Sequence, residues 1–284
     1  MSFYTNVCRY GNAILYRGYN QVGSRIYKRD TDFKPVFFTN TKSETEWRSI
    51  DNQPIAPIQM DNMREAKEWL NSNRDVAGRK IYGNAKYLQQ YITNRFPRDI
   101  EWKRECIDVG TFDIETEYDD GFPEPRHANQ RILSITYKSS KSKLYHVWGY
   151  GDFDTKKSLI QPVRYYRCRD EVSLLTKFIA FWSDESKTPD VITGWNIRFF
   201  DVPYLINRTA KILGVDAIRS FSPWRMIDHR EITRRGRTED AYDIKGIEQL
   251  DYMELFQKFG YSYGPQESYS LNHIAYVVLG EKKL

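Results

Sequence analysis

Two acidic residues lie one position apart in the apolar stretch TFDIETEYDDGF, which spans residues 111–122. Alternate residues of a β-strand point to the same face, so Asp113 and Glu115 share one face while Phe112 and Ile114 share the other. Two neighbouring carboxylates in a partly buried site need a counter-charge, and Mg²⁺ and Mn²⁺ prefer oxygen ligands of this kind. The pattern therefore indicates divalent-metal chemistry, with a solvent-facing edge strand as the alternative.

A third acidic residue follows a second apolar strand, in the stretch ITGWNIRFFDVPYL. Asp201 stands where a helix is predicted to begin, because Pro203 would fall in the first helical turn, where proline is tolerated. In α/β folds, ligand chemistry is usually located at the carboxyl ends of strands. Asp201 is therefore a candidate third metal ligand, and a plain helix cap is the alternative.

The two acidic motifs together resemble those of the family B DNA polymerases. FDIET at residues 112–116 resembles the first exonuclease motif of that family, and TGWNIRFFDVPYL at 193–205 resembles the second. Three further stretches bring the resemblance close to the replicative polymerases of T-even-type bacteriophages and their marine relatives: DGFPEP (120–125), LDYMELFQKFG (250–260) and SYSLNHIA (268–275). The resemblance covers essentially the whole chain.

This resemblance implies a proofreading 3′ to 5′ exonuclease that hydrolyses the terminal phosphodiester of single-stranded DNA with two metal ions. Asp113 would bind both metals, Glu115 would hold the first metal and orient the attacking water, and Asp201 would complete the shell of the second. The implied cofactors are two Mg²⁺ or Mn²⁺ ions. The implied partners are the 3′ end of single-stranded DNA and primer–template DNA.

The resemblance also assigns residues to nucleic-acid binding. Phe122 matches an aromatic residue that stacks on a base of the frayed primer end, as aromatic rings do in single-strand binding. Asn196 and Phe200 match positions that line the same channel. The N-terminal unit contacts template in relatives and RNA in some of them, so RNA is a further expected ligand.

A predicted hairpin around RRGR falls where relatives carry a hairpin that helps to part primer from template. Arg234, Arg235 and Arg237 would then contact phosphates, which positions a strand without reading its sequence. An exposed turn that is rich in arginine for solubility is the alternative.

One part of the family pattern is not found. The family requires a fourth carboxylate from a Tyr-x-x-x-Asp motif after the second motif, whereas Tyr166 and Asp170 precede it, and Asp170 is better explained as a helix cap. Asp251 lies in LDYMEL, which matches a different family segment. We therefore expect a chain that ends before the third motif, a weak second metal site and no DNA extension. The alternatives are a catalytically silent binding module, or half of a split polymerase that needs a second, C-terminal chain.

Composition limits the other classes of function. The 284 residues are 40% hydrophobic, which suffices for one large domain or two modest ones, and the net charge of +5 supports nucleic-acid binding weakly. Cys8, Cys106 and Cys168 are far apart and lack a nearby histidine pair, so neither a zinc site nor a disulfide framework is indicated. No apolar run is long enough for a membrane span. The resemblance places the protein in the cytoplasm of a phage-infected bacterium.

The elements that must position the acids belong to the second of two predicted domains. Residues 1–105 predict a small α+β N-terminal domain, and residues 106–284 an α/β, RNase H-like exonuclease domain with a mixed sheet, incomplete at its C-terminus. Strands are predicted in IDVGTFDIET, RILSITYK, KLYHVWGY and DVITGWN. Helices are predicted in EVSLLTKFIAFW and DVPYLINRTAKILG, and a hairpin over residues 225–246.

Overall fold

The computed structural model describes residues 2–118, 121–234 and 236–281, without the side chains of Arg234 and Arg237. The chain divides into two compact units, Met1–Lys103 and Arg104–Leu284. Each unit encloses its own cluster of buried apolar side chains. None of the described helices has the length and apolar character needed to cross a membrane. The assignment of the two units as N-terminal and exonuclease domains stays a prediction.

Two small antiparallel sheets and two helices form the first unit. Its elements are β1 (Phe3–Tyr10), β2 (Ala13–Tyr19), β3 (Arg25–Asp30), β4 (Val36–Asn40), β5 (Ile55–Gln59), α1 (Met63–Asn73), β6 (Ile81–Tyr82) and α2 (Tyr87–Arg95). The strand orders are β1-β2-β3 and β5-β4-β6. Asn62 caps α1 by accepting the backbone N–H groups of Arg64 and Glu65, and the helix buries Met63 and Ala66.

A six-stranded mixed sheet organises the second unit. Its first elements are β7 (Val109–Thr116), β8 (Ile132–Ser139), β9 (Tyr145–Tyr150), β10 (Val163–Cys168), α3 (Glu171–Trp182), β11 (Val191–Gly194) and α4 (Asp201–Leu213). The remaining elements are α5 (Val215–Ile218), β12 (Ile227–Arg234), β13 (Arg237–Ile244), β14 (Glu248–Asp251), α6 (Tyr252–Phe259) and α7 (Leu271–Leu279). The predicted α/β class with a mixed sheet is confirmed.

The sheet has one reversed strand. Its order is β10-β9-β8-β7-β11-β14, and β8 pairs antiparallel with both of its neighbours while the other pairs are parallel. Consequently β7, β9, β10, β11 and β14 all end at the same edge of the sheet, where α/β folds usually bind ligands. The edge strand β10 was not predicted, because its sequence VRYYRC lacks a clear apolar alternation.

The helices of this unit follow their sequence signals. Asp170 caps α3 by accepting the N–H of Ser173 at 2.7 Å, as predicted, and the helix buries Leu174, Leu175 and Phe178 against the sheet. The predicted hairpin is formed by β12 and β13. Arg235 and the side chains of Arg234 and Arg237 lie outside the described residues, so the predicted phosphate contacts stay predictions.

Candidate active site

The alternation of β7 separates its acids from its apolar residues. Phe112 and Ile114 are buried in the core, whereas Asp113 and Glu115 lie on the exposed face of the strand. Both acids are close to the carboxyl end of β7, next to the parallel strand β11. The two side chains that the sequence placed on one face therefore do share that face.

Asp201 is joined to this strand by a hydrogen bond. Its side chain is only 3% exposed, and its Oδ1 accepts the backbone N–H of Ile114 at 3.1 Å. Asp201 is the first residue of α4, and the capping position belongs to Phe200. The alternative of a plain helix cap is therefore wrong, because the carboxylate points to the strand segment between Asp113 and Glu115.

Burial controls the electrostatics of Asp201. Loss of water around the carboxylate, followed by the nearby charges of Asp113 and, more weakly, Asp251, raises the pKa of Asp201 to about 8. In the described part of the chain, no group of three His, Cys, Asp or Glu side chains is arranged to hold a metal ion. The donor chemistry nevertheless fits Mg²⁺ or Mn²⁺, because oxygen donors crowd at one sheet edge and a cation would relieve their repulsion.

Asp251 is a site residue that the sequence reasoning missed. It ends β14 and is 3% exposed, and its two carboxylate oxygens accept the N–H groups of Asn196 at 3.2 Å and Arg198 at 3.0 Å. It also caps α6 by accepting the N–H of Met253 at 2.9 Å. A strand followed by an aspartate and a helix, as in EQLDYMEL, is the cap signal that could have found it.

Through these bonds Asp251 fixes the turn that leads to Asp201. Asn196 has a φ of 61°, a left-handed conformation that asparagine adopts more readily than most residues. The turn therefore uses Asn196 for its backbone geometry. Its predicted role in lining a DNA channel stays a prediction.

A cleft of about 760 Å³ opens beside the acids. Asp113 and Glu115 form part of its wall, and Glu281 contributes a further acidic side chain that no sequence signal had indicated. The rest of the lining comes from the ends of β7 and β11, from α6 and from α7: Thr111, Phe112, Ile114, Thr193, Gly194, Trp195, Tyr252, Leu271, Asn272 and Ala275. The cleft thus brings the β7 acids together with an apolar surface, and Asp201 is not one of its lining residues.

Two aromatic residues lie next to the start of α4. The rings of Phe122 and Phe200 are 5.3 Å apart at an angle of 50°, and Phe122 is 78% exposed. The structure therefore brings two of the three predicted channel residues into contact immediately before Asp201.

Comparison with known proteins identifies the family. The model of "DNA polymerase family B, exonuclease domain" matches residues 44–274. The DNA-directed DNA polymerase of Escherichia phage RB69 is 29% identical over 99% of this chain, which covers 33% of that relative. That of Enterobacteria phage T4 is 29% identical over 96% of this chain and 32% of the relative. The DNA polymerase delta catalytic subunit of Candida albicans is 31% identical over 66% of this chain.

The chain thus spans about a third of the length of the two phage relatives. The family predicted from FDIET and TGWNIRFFDVPYL is confirmed, because its model matches well over half of the residues. This protein belongs to the family B DNA polymerases and carries their exonuclease domain.

Proposed function

We propose that this chain is the proofreading part of a phage DNA polymerase and removes the 3′-terminal nucleotide of single-stranded DNA by hydrolysis. The observation that carries this proposal is the hydrogen bond from Ile114 to Asp201, which holds a buried third carboxylate against the strand of Asp113 and Glu115. Family B membership and the two phage relatives support the same substrate class.

Each acid has a separate part in this proposal. Asp113, Glu115 and Asp201 would bind divalent cations, and Glu115 would also orient the attacking water by accepting a hydrogen bond from it. Bound Mg²⁺ or Mn²⁺ ions would activate that water and stabilise the charge on the attacking and leaving oxygens.

The DNA would be held by aromatic and basic residues. Phe122 would stack on a base of the unpaired 3′ end, and Asn196 and Phe200 would line the path to the acids. The arginines of the β12–β13 hairpin would contact phosphates. The relatives give no support for an RNA ligand or for a separate C-terminal chain, and both stay predictions. The setting would be the cytoplasm of an infected bacterium.

The decisive experiment is degradation of 5′-labelled single-stranded DNA with Mg²⁺ or Mn²⁺. We expect the DNA to be shortened from its 3′ end. Asp113→Asn, which keeps the shape of the side chain and removes its charge, should lower the rate of shortening about a hundredfold or more. Asp154→Asn is the matched control, because Asp154 is an exposed acid that caps a short helical turn elsewhere in the unit.

The result also decides between two functions. DNA binding without cleavage by the unaltered chain would support the alternative of a silent binding module. Equal cleavage by the unaltered chain and by Asp113→Asn would attribute the activity to another nuclease and contradict the proposal.

A further inference from the structure

The connection between β7 and β8 carries Phe122 and is held along one side of α4. We refer to residues 121–131 as the β7–β8 connection. Tyr204 Oη donates to the carbonyl oxygen of Gln130 at 2.8 Å, and Asn207 Nδ2 donates to that of Pro125 at 2.9 Å. These two α4 residues are three positions apart, so they lie on the same helix face.

Arg208 adds a buried anchor to the same face. It is 6% exposed, and its guanidinium donates to Glu171 of α3 through two nitrogens, at 2.8 and 2.6 Å. Another nitrogen donates to the carbonyl oxygens of Asn129 at 2.7 Å and Ala128 at 3.1 Å. A buried ion pair is costly unless its hydrogen-bonding groups are satisfied, and here the satisfaction comes from the β7–β8 connection.

The backbone at Ala128 shows how tightly this part is held. Ala128 is fully buried and has a φ of 42°, a left-handed conformation that is unfavourable for alanine. Such a conformation persists when the surrounding structure determines it. The hydrogen bonds that Arg208 donates to the carbonyl oxygens of Ala128 and Asn129 hold the backbone in this conformation.

The β12–β13 hairpin holds the connection from another side. Arg126 pairs with Glu231 of β12 and lies 3.8 Å from Asp240 of β13. Tyr242 of β13 donates its hydroxyl to Asn207 Oδ1, so the side chain of Asn207 joins the hairpin to the connection. The connection is therefore fixed between a helix and a hairpin.

We propose that α4 sets the place of Phe122 relative to the acids, and that Tyr204 and Asn207 are positioning residues for the grip on the 3′-terminal base. Asp201 begins the same helix whose next turns hold the connection, so the acid and the aromatic ring share one rigid support. This inference rests on the proposed exonuclease function. It deepens that function by assigning substrate grip to residues that do not touch the acids.

The first test measures stacking without any cleavage. The probe is a single-stranded oligonucleotide with 2-aminopurine at its 3′ end, in EDTA, because stacking on an aromatic ring quenches its fluorescence. We expect the unaltered chain to quench the probe and Phe122→Ala to lose the effect. The double variant Tyr204→Phe with Asn207→Ala should bind the probe about threefold to tenfold more weakly and quench it less.

Tyr165→Phe is the matched control for the lost hydroxyl. Tyr165 Oη donates to the carbonyl oxygen of Tyr150 at 2.6 Å in the same sheet, away from the β7–β8 connection. Its removal should leave affinity and quenching unchanged. Circular dichroism at the assay temperature verifies that every variant is folded.

The second test separates grip from chemistry on metal-activated cleavage. We expect the double variant to raise KM for single-stranded DNA and to leave kcat unchanged, because its acids are intact. Unchanged KM and quenching in the double variant, beside a loss in Phe122→Ala, would overturn the inference and leave the proposed function standing. A lowered kcat with unchanged KM would also overturn it. If the unaltered chain showed no quenching and no cleavage, that result would contradict the proposed function itself.

Discussion

At the scale of single residues, the surroundings of Asp201 are unfavourable for a negative charge. Its side chain is buried, and Asp113 and Asp251 add repulsion to the loss of hydration. The N–H of Ile114 offsets part of this cost, yet the pKa of Asp201 still rises to about 8. We therefore expect cation binding and the ionisation of Asp201 to be coupled.

Asp201→Asn tests this electrostatic cost in the metal-free protein. A raised pKa means that the contribution of protonated Asp201 to stability is complete below its unfolded value of 3.8 and is lost as pH rises through about 8. The asparagine variant keeps an oxygen that accepts the Ile114 N–H. Because its side chain does not ionise, its stability does not fall as pH rises through about 8. In EDTA, its stability relative to that of the unaltered chain should rise by about 4 kcal/mol from pH 5 to pH 9, because the folded pKa of about 8 lies about three pH units above pH 5 and each unit is worth about 1.4 kcal/mol. Urea unfolding at both pH values measures the difference, and a pH-independent difference would contradict the prediction.

Asp251→Ala tests the carboxylate that fixes the turn before Asp201. The change leaves the N–H groups of Asn196, Arg198 and Met253 without their acceptor, so we expect a loss of about 2–3 kcal/mol in the free energy of unfolding. Ser270→Ala is the control, because Ser270 caps α7 through the single N–H of His273 and should cost about 1 kcal/mol. Equal losses in the two variants would show that Asp251 is an ordinary cap.

At the scale of elements, hydrophobic periodicity predicted the helices and strands whose apolar residues recur at regular spacing. The strand β7 and the helices α3 and α4 follow such patterns, and the β12–β13 hairpin was indicated by the RRGR turn between polar strands. The tyrosine- and arginine-rich strand β10 carries neither signal. The contacts between α4 and the β7–β8 connection join residues about eighty positions apart, as in Arg208 with Asn129. No local pattern encodes such a pairing. The hydrogen bonds from Asn196 and Arg198 to Asp251 also join distant parts of the chain. The sequence therefore indicated Asp113, Glu115 and Asp201 but not the support given by Asp251.

Gly194→Ala tests how closely β11 must approach β7. A Cβ atom at Gly194 would lie 2.8 Å from the carbonyl oxygen of Phe112 and 2.4 Å from the Ile197 side chain. We expect a loss of about 1–3 kcal/mol and lower nuclease activity, since the turn to Asp201 begins at this residue. Gly149→Ala in β9 is the control, because its Cβ would meet the end of the Tyr165 side chain at 3.1 Å. Thermal unfolding of both variants decides whether backbone approach is the cause.

For the molecule as a whole, cation binding is thermodynamically linked to the free energy of unfolding. An ion that binds the folded chain and not the unfolded chain stabilises it in proportion to the logarithm of its concentration over Kd. The carboxylates at the common edge of β7, β11 and β14 belong to the second unit, whose buried core extends across the same sheet. Metal binding should therefore be visible in the unfolding of that unit, independently of any cleavage.

Mn²⁺ should raise the Tm of the unaltered chain by several degrees. At a hundredfold excess over Kd, the gain is about 2.7 kcal/mol, and each kcal/mol moves Tm by about 2–4 °C in a unit of this size. Asp113→Asn should lose most of the shift, and the control Asp154→Asn should keep it. Differential scanning calorimetry with and without EDTA measures this, and an equal shift in all three proteins would place the bound ions elsewhere.

The reversed strand β8 has a consequence for how this fold can change. Because β8 runs against its neighbours, the chain must turn back at the edge where the acids lie, and that turn is the β7–β8 connection. Insertions or deletions there would alter the reach of Phe122 while leaving the strands and their carboxylates in register. Under the proposed function, the fold would thus separate two traits that selection could adjust one at a time: which DNA end is admitted, and how fast it is cut.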